Sequence, residues 1–154
     1  MNMKTKEITL TAVLAALYIG IGLIVPFISF GPIQCRVSDA LYPLIAVLGT
    51  PALVGLTLGH FIYNLFGYST GIALGLMDVI LSPSIFLVAK ILIWKHGYRA
   101  VPVHVILVAM WVPYMLNTMF GLPYRPLVIS VGIGEAIAEL VLGIPLAKLV
   151  ERHL

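Results

Sequence analysis

Long apolar runs, nearly free of charge and broken by Gly and Pro, limit this chain more than any other feature of its sequence. A helix needs about 20 such residues to cross the hydrocarbon core of a bilayer. In lipid each run has to be helical, because its backbone polar groups find no water to bond. Charged residues are 10% of the 154 and the hydrophobic class is 61%, whereas a soluble domain carries about 25% charged residues. So few charges cannot keep that much apolar surface in solution. The chain reads as an integral membrane protein.

The interruptions predict one all-α, polytopic domain over 1–154, a six-helix bundle with spans at about 8–25, 40–48, 51–66, 71–94, 101–120 and 127–150. The second and third are short, so they are tilted, covered by neighbours or joined as one broken hairpin. Ser38 or Asp39 is placed to cap the second, and Pro51 suits the first turn of the third. The N-terminal apolar run continues to Phe27 with no small-residue cleavage site, which predicts a retained first span rather than a signal peptide.

Six spans put both termini on one side. Lys4, Lys6, Lys90, Lys95, Arg99, Lys148 and Arg152 are assigned to that side, and Arg36 and Arg125 to the other. Positive charge concentrates in the cytoplasm, so the expectation is a multi-pass protein of the cell membrane with cytoplasmic termini and an external loop holding Cys35 and Arg36.

Polar residues within the spans gather toward the outer half: Asp39, Asn64, Asp78, Asn117, Glu135 and Glu139, beside a loop with Gln34, Arg36 and Ser38. A charge at the bilayer centre costs on the order of 2.5–3.5 kcal/mol, so these carboxylates need partners or a cavity. Glu135 and Glu139 are four apart on one helix face, an arrangement that needs a donor or a proton between them. Two readings stay open. The carboxylates pair with Arg36 or Arg125 and hold helices together, or they line an outward cup for a small donor-rich ligand, since carboxylates accept paired N–H groups bidentately. Tyr42, Tyr63, Trp111, Tyr114 and Phe120 lie at similar depth, able to stack on a planar ring or to anchor at the interface. Small-residue pairs at Ala12/Ala16, Gly55/Gly59 and Gly71/Gly75 permit close helix contact.

Enzymatic motifs fail. Gly67, Ser69 and Gly71 match a nucleophile elbow, but His96, His104 and His153 are assigned to the opposite end, and Ser69 reads as a turn residue. No spacing suits a metal, and no phosphate loop is present, so no catalytic residue, metal or cofactor is expected.

The segments 33–41 (IQCRVSDAL), 59–64 (GHFIYN), Met77-Asp78, Pro113 with Asn117, 132–136 (GIGEA) and 143–145 (GIP) resemble the QueT family over nearly the whole chain. That resemblance implies a substrate-binding S component of an energy-coupling-factor (ECF) importer, capturing a queuosine precursor, a 7-deazaguanine, outside the cell. It implies a transmembrane coupling subunit and two ATPase subunits as partners, with Ala12 and Ala16 meeting the coupling subunit. Gln34, Arg36, Asp39, Asn64, Asp78, Asn117 and Glu135 carry over as substrate-binding residues, and Glu139 is added from its place on the same face. Asp39, where the family more often has Glu, and His60, where it more often has a small residue, depart from the pattern. Other readings are an S component for another vitamin, a stand-alone carrier with Glu135 and Glu139 as a proton relay, and a scaffold without a ligand.

Overall fold

A computed structural model describes residues 3–24, 36–70 and 75–154, all of them helix or tight turn. Helix α1 is Met3–Ile24. The segment Val37–Leu48, α2, begins as a 3-10 helix over Val37–Leu44 and ends as a single α-turn. Helices α3 (Thr50–Ser69), α4 (Leu76–His96) and α5 (Val101–Phe120) follow, and α6 is Tyr124–Glu151. By length and composition, Lys4–Ile24, Leu76–Phe120 and Tyr124–Glu151 are apolar enough to cross a membrane.

Five helices thus have 20 residues or more, and α2 does not. In place of six comparable spans, the structure has five long helices around one short one. Seven of the first eight residues of α2 are buried, from Ser38 to Leu44. Its 3-10 winding rises about 2.0 Å per residue instead of 1.5 Å, which lets a short segment reach further. Neither Ser38 nor Asp39 caps it, because the helix begins earlier, after Arg36, and the cap position makes no side-chain bond.

Contacts fix the directions. Gly55 lies against the backbone of Thr11, Gly59 against Ala15 and Tyr18, and Tyr63 against Gly22, so α1 and α3 run parallel. A Cβ at Gly55 would stand 2.5 Å from the Thr11 carbonyl oxygen, and one at Gly59 2.9 Å from the Tyr18 Cβ. The small-residue pair at 55 and 59 is therefore the α1–α3 contact itself. Gly71 of the other glycine pair lies outside the described residues. Gly97, at φ +66, breaks the 76–120 stretch into a hairpin: Ser82 meets Trp111, Phe86 meets His104, and Gly75 lies by Met119. Helix α6 packs back along α5, and Gly143 comes close enough to α2 that a Cβ would lie 2.6 Å from the Ala40 carbonyl. The α6 backbone widens to a π-helix over Ala136–Gly143.

These directions bring the start of α1 and the end of α6 to one end of the bundle, where Tyr98 donates to Glu151 at 2.9 Å. The larger apolar core lies among α1, α2, α3 and that end, built on Leu14, Ile45, Leu56, Ile93 and Val101. A second core joins α4, α5 and α6 through Phe86, Val108, Val112 and Val131. Ile106, Met110, Ile129 and Val141 are among many large apolar side chains that point outward, the surface a lipid-embedded bundle presents.

Candidate functional site

Four of the six acidic residues are buried: Asp39, Asp78, Glu135 and Glu139. The α2 start carries Arg36 and Asp39 into the space between α1, α3 and α6, and a chain of hydrogen bonds links them. Arg36 Nη1 lies 3.0 Å from His60 Nε2, and His60 Nδ1 lies 2.9 Å from the Tyr42 hydroxyl. Tyr42 donates to Tyr18 at 2.9 Å, and Tyr18 donates to Asp39 Oδ1 at 2.5 Å.

Each direction in that chain is determined. A guanidinium only donates and an ionised carboxylate only accepts. Tyr18 spends its one hydrogen on Asp39, so Tyr42 spends its own on Tyr18 and takes a hydrogen from His60 Nδ1. The imidazole is then the Nδ1–H tautomer, with Nε2 free to accept from Arg36. The assignment agrees from both ends.

Lys90 sits at the inner edge of this chain, fully buried, with Nζ 3.3 Å from His60 Nδ1 and 4.3 Å from the centre of the Tyr42 ring. Because Nδ1 already carries a hydrogen, the ammonium has no lone pair to meet there. A desolvated cation over an aromatic face is held by about 2 kcal/mol or more, and that face is what holds Lys90. The carboxylates of Asp39 and Glu139 are near enough to act on its charge, yet neither comes within 4 Å. Among the described residues the one contact within 4 Å between a basic side chain and a carboxylate is His104 Nδ1 to Glu139 Oε1, at 2.6 Å with both side chains buried.

The Glu135 carboxyl lies beside that of Asp39. Oε2 of Glu135, Oε2 of Glu139, Nε2 of His104 and Oγ of Ser38 are buried without a hydrogen-bond partner among the described residues. Buried polar atoms are satisfied in the great majority of cases, which makes these atoms the candidates for contact with a bound molecule. The π-helical turn of α6 carries Glu139 into it, and such turns are frequent at functional sites. Beside this cluster, Asn64 donates to the Asp78 carbonyl at 3.1 Å, Ser82 donates to the Asp78 carboxylate, and Trp111 donates to Ser82 at 2.7 Å.

The structure thus brings together Arg36, Asp39, Glu135 and Glu139, with Asn64 and Asp78 alongside. Gln34 and Cys35 lie outside the described residues. Asn117 is not part of the cluster: it is exposed and donates to the Leu122 carbonyl at 2.6 Å, closing the end of α5. Of the aromatic candidates, Tyr42 and Tyr63 are buried here and Trp111 is half-buried, whereas Tyr114 and Phe120 point outward. Ala12 and Ala16 face outward as well, which removes the alternative that they pack inside the bundle. Ala12 lines a groove of about 850 Å3 with Thr11, Ala15, Pro51, Val54 and Trp94.

Two assignments change. Lys90 and His104, which the sequence assigns to the cytoplasmic end, are both buried in the bundle interior. Without Lys90 the basic residues at the end shared by the termini number six, against Arg36 and Arg125. Together with His60 and Tyr18, Lys90 and His104 are the members of the cluster that sequence reasoning left out. Their signal is helical spacing. Asp78, Ser82, Phe86 and Lys90 succeed one another every fourth residue on the buried face of α4, and His104 lies on the buried stripe of α5 with Val101, Val105 and Val108.

No curated protein and no solved structure matches the chain. A family model does, over residues 8–152, and its family is the QueT transporter: with a long-helix bundle, an apolar exterior and a buried carboxylate cluster already in view, this chain belongs to the QueT transporter family, a family of membrane transporters.

Proposed function

We propose that the protein is the substrate-capturing S component of an ECF-type, ATP-driven importer, and that its ligand is a queuosine precursor, a 7-deazaguanine. The observation that carries this reading is the pair of buried acceptors that lack donors among the described residues, Oε2 of Glu135 and Oε2 of Glu139, beside the Arg36–Asp39 chain. The N1–H and 2-amino groups of a deazaguanine are adjacent donors, and carboxylates accept such pairs bidentately. Glu135 takes this edge, with Glu139 beside it, and Tyr42 and Tyr63 are the rings that flank it. Gln34, Arg36, Asp39, Asn64 and Asp78 complete the substrate-binding set. Asn117, which the resemblance also implies, supports the end of α5.

In this reading α2 is the second of six membrane passes, the termini are cytoplasmic, and the Arg36 loop is external. The sequence has no phosphate loop, and in this reading a transmembrane coupling subunit and two ATPase subunits supply the energy. The coupling subunit docks on the outward face of α1 at Ala12 and Ala16.

Calorimetry on the purified protein with a 7-deazaguanine, flavin, thiamin and biotin tests the ligand. Saturable binding of the deazaguanine alone is expected, and preference for another vitamin would overturn the assignment. Uptake driven by a pH gradient in vesicles holding only this chain would overturn the coupling to ATPases. Labelling of Cys35 by an impermeant thiol reagent only from the cytoplasmic side would overturn the orientation.

A further inference from the structure

We propose that Lys90 is a ligand-binding residue whose ammonium meets the carbonyl oxygen of the same ring edge that Glu135 and Glu139 hold by its N–H groups. The proposal rests on the reading of the ligand as a 7-deazaguanine. It follows from an accounting of unspent hydrogen-bonding groups in the bundle interior. Lys90 is fully buried and has three N–H donors. His60 Nδ1, 3.3 Å away, carries a hydrogen of its own, and no carboxylate oxygen lies within 4 Å of Nζ among the described residues. The Tyr42 ring holds the charge but accepts no conventional hydrogen bond.

The acceptors are unspent on the facing side. Among the described residues, Oε2 of Glu139 and Oε2 of Glu135 are buried with no donor, and the Glu139 carboxylate is near enough to act on the Lys90 charge. Lys90 and Glu139 act on each other's charge yet lie more than 4 Å apart, and a ligand edge that offers both an acceptor and donors would serve both. The edge of a guanine-type ring offers an acceptor, the 6-oxo oxygen, next to two donors. The 6-oxo oxygen needs an N–H donor, and the amide of Asn117 is at the surface, donating to the Leu122 carbonyl. Lys90 takes its place.

The test is a cycle between one protein change and one ligand change, read by calorimetry. 7-Deazaguanine is compared with 7-deaza-6-thioguanine, which keeps N1–H and the amino group but replaces the oxygen by a poor acceptor. The wild-type protein is expected to lose tenfold or more in affinity on the change to sulfur. Lys90→Met is expected to bind the oxo ligand tenfold or more weakly than wild type and to treat the two ligands alike within about twofold. An equal oxygen-to-sulfur factor in both proteins, or wild-type affinity in Lys90→Met, would overturn the proposal. Lys90→Met removes a buried cation that has no close counter-ion, so folding is expected to survive. Lys90→Leu, which likewise carries no donor, is read in the same way should the methionine variant not fold. Binding of neither ligand by the wild type removes the deazaguanine reading and this proposal with it, a result distinct from tight binding that ignores position 90.

Discussion

Arg36 and Asp39 stand three residues apart in the chain, and their side chains are the two ends of one hydrogen-bonded path through His60, Tyr42 and Tyr18. The backbone closes the ring, since the Asp39 N–H donates to the Arg36 carbonyl at 2.8 Å. The path passes through α3, α2 and α1 in turn. Whatever moves Arg36 therefore reaches the side chains that hold the start of α2 against two long helices.

The path predicts its own weak point. Tyr42→Phe keeps the ring over which Lys90 lies and removes the hydroxyl that takes a hydrogen from His60 and gives one to Tyr18. Leaving a buried donor unsatisfied costs about 1–3 kcal/mol. Thermal unfolding in detergent should show a lower midpoint for Tyr42→Phe than for the wild type, with the helix content unchanged. An unaltered midpoint would mean that the path does not contribute to stability.

Glu135→Gln should weaken 7-deazaguanine binding roughly tenfold to a hundredfold, the loss of charge-assisted bonds worth about 1.5–3 kcal/mol. The shape is conserved and one acceptor becomes a donor. Calorimetry on the folded variant checks this, and unchanged affinity would take Glu135 out of the ligand edge.

Gly59→Leu puts a side chain where a Cβ alone stands 2.9 Å from the Tyr18 Cβ and 3.0 Å from the Ala15 carbonyl. Helices α1 and α3 would have to separate, and overpacking of this kind costs about 1–3 kcal/mol or more. Loss of the monodisperse peak in gel filtration, or a clearly lowered unfolding midpoint, is expected. Wild-type behaviour would show that the two helices do not meet as described.

Ala12→Trp separates capture from transport. Position 12 is on the outward face of α1, away from the Glu135 cluster, so the variant should fold and bind ligand within about threefold of wild type, as distant sites do. Uptake and pull-down of the coupling subunit should be lost. Normal uptake by Ala12→Trp would remove this face from the docking surface.

Much of this was readable before the structure, and the limits have physical causes. The bounds of α5 follow from Gly97 before it and Gly121 after it, two left-handed positions that only glycine adopts cheaply. The clustering of Arg36, Asp39, Glu135 and Glu139 followed from the cost of a charge in lipid. Lys90 escaped because a lysine near the end of a membrane helix ordinarily snorkels to the interface, and hydropathy cannot distinguish that from a lysine turned inward over a tyrosine. His104 escaped for the same reason. Asn117 was included by its depth, but a helix end leaves carbonyls to be satisfied, and the neighbouring Leu122 carbonyl takes its amide. Sequence period gives the face of a residue. It does not give which of two demands on an amide is met.

The short buried segment α2 bears on how the protein is made. A stretch of twelve residues containing Asp39 and Pro43 is below the length that enters a bilayer unaided. Because α1 and α3 run parallel, the chain between them has to travel back across the bundle. In the six-pass reading, the returning limb is apolar but too short to span by itself, and it acquires its place only when Tyr18 and His60 are there to receive it. Insertion of α2 is then a folding step rather than a translocation step. Glycosylation acceptors placed after Leu48 should accordingly report a different side in a chain truncated there than in the full-length protein.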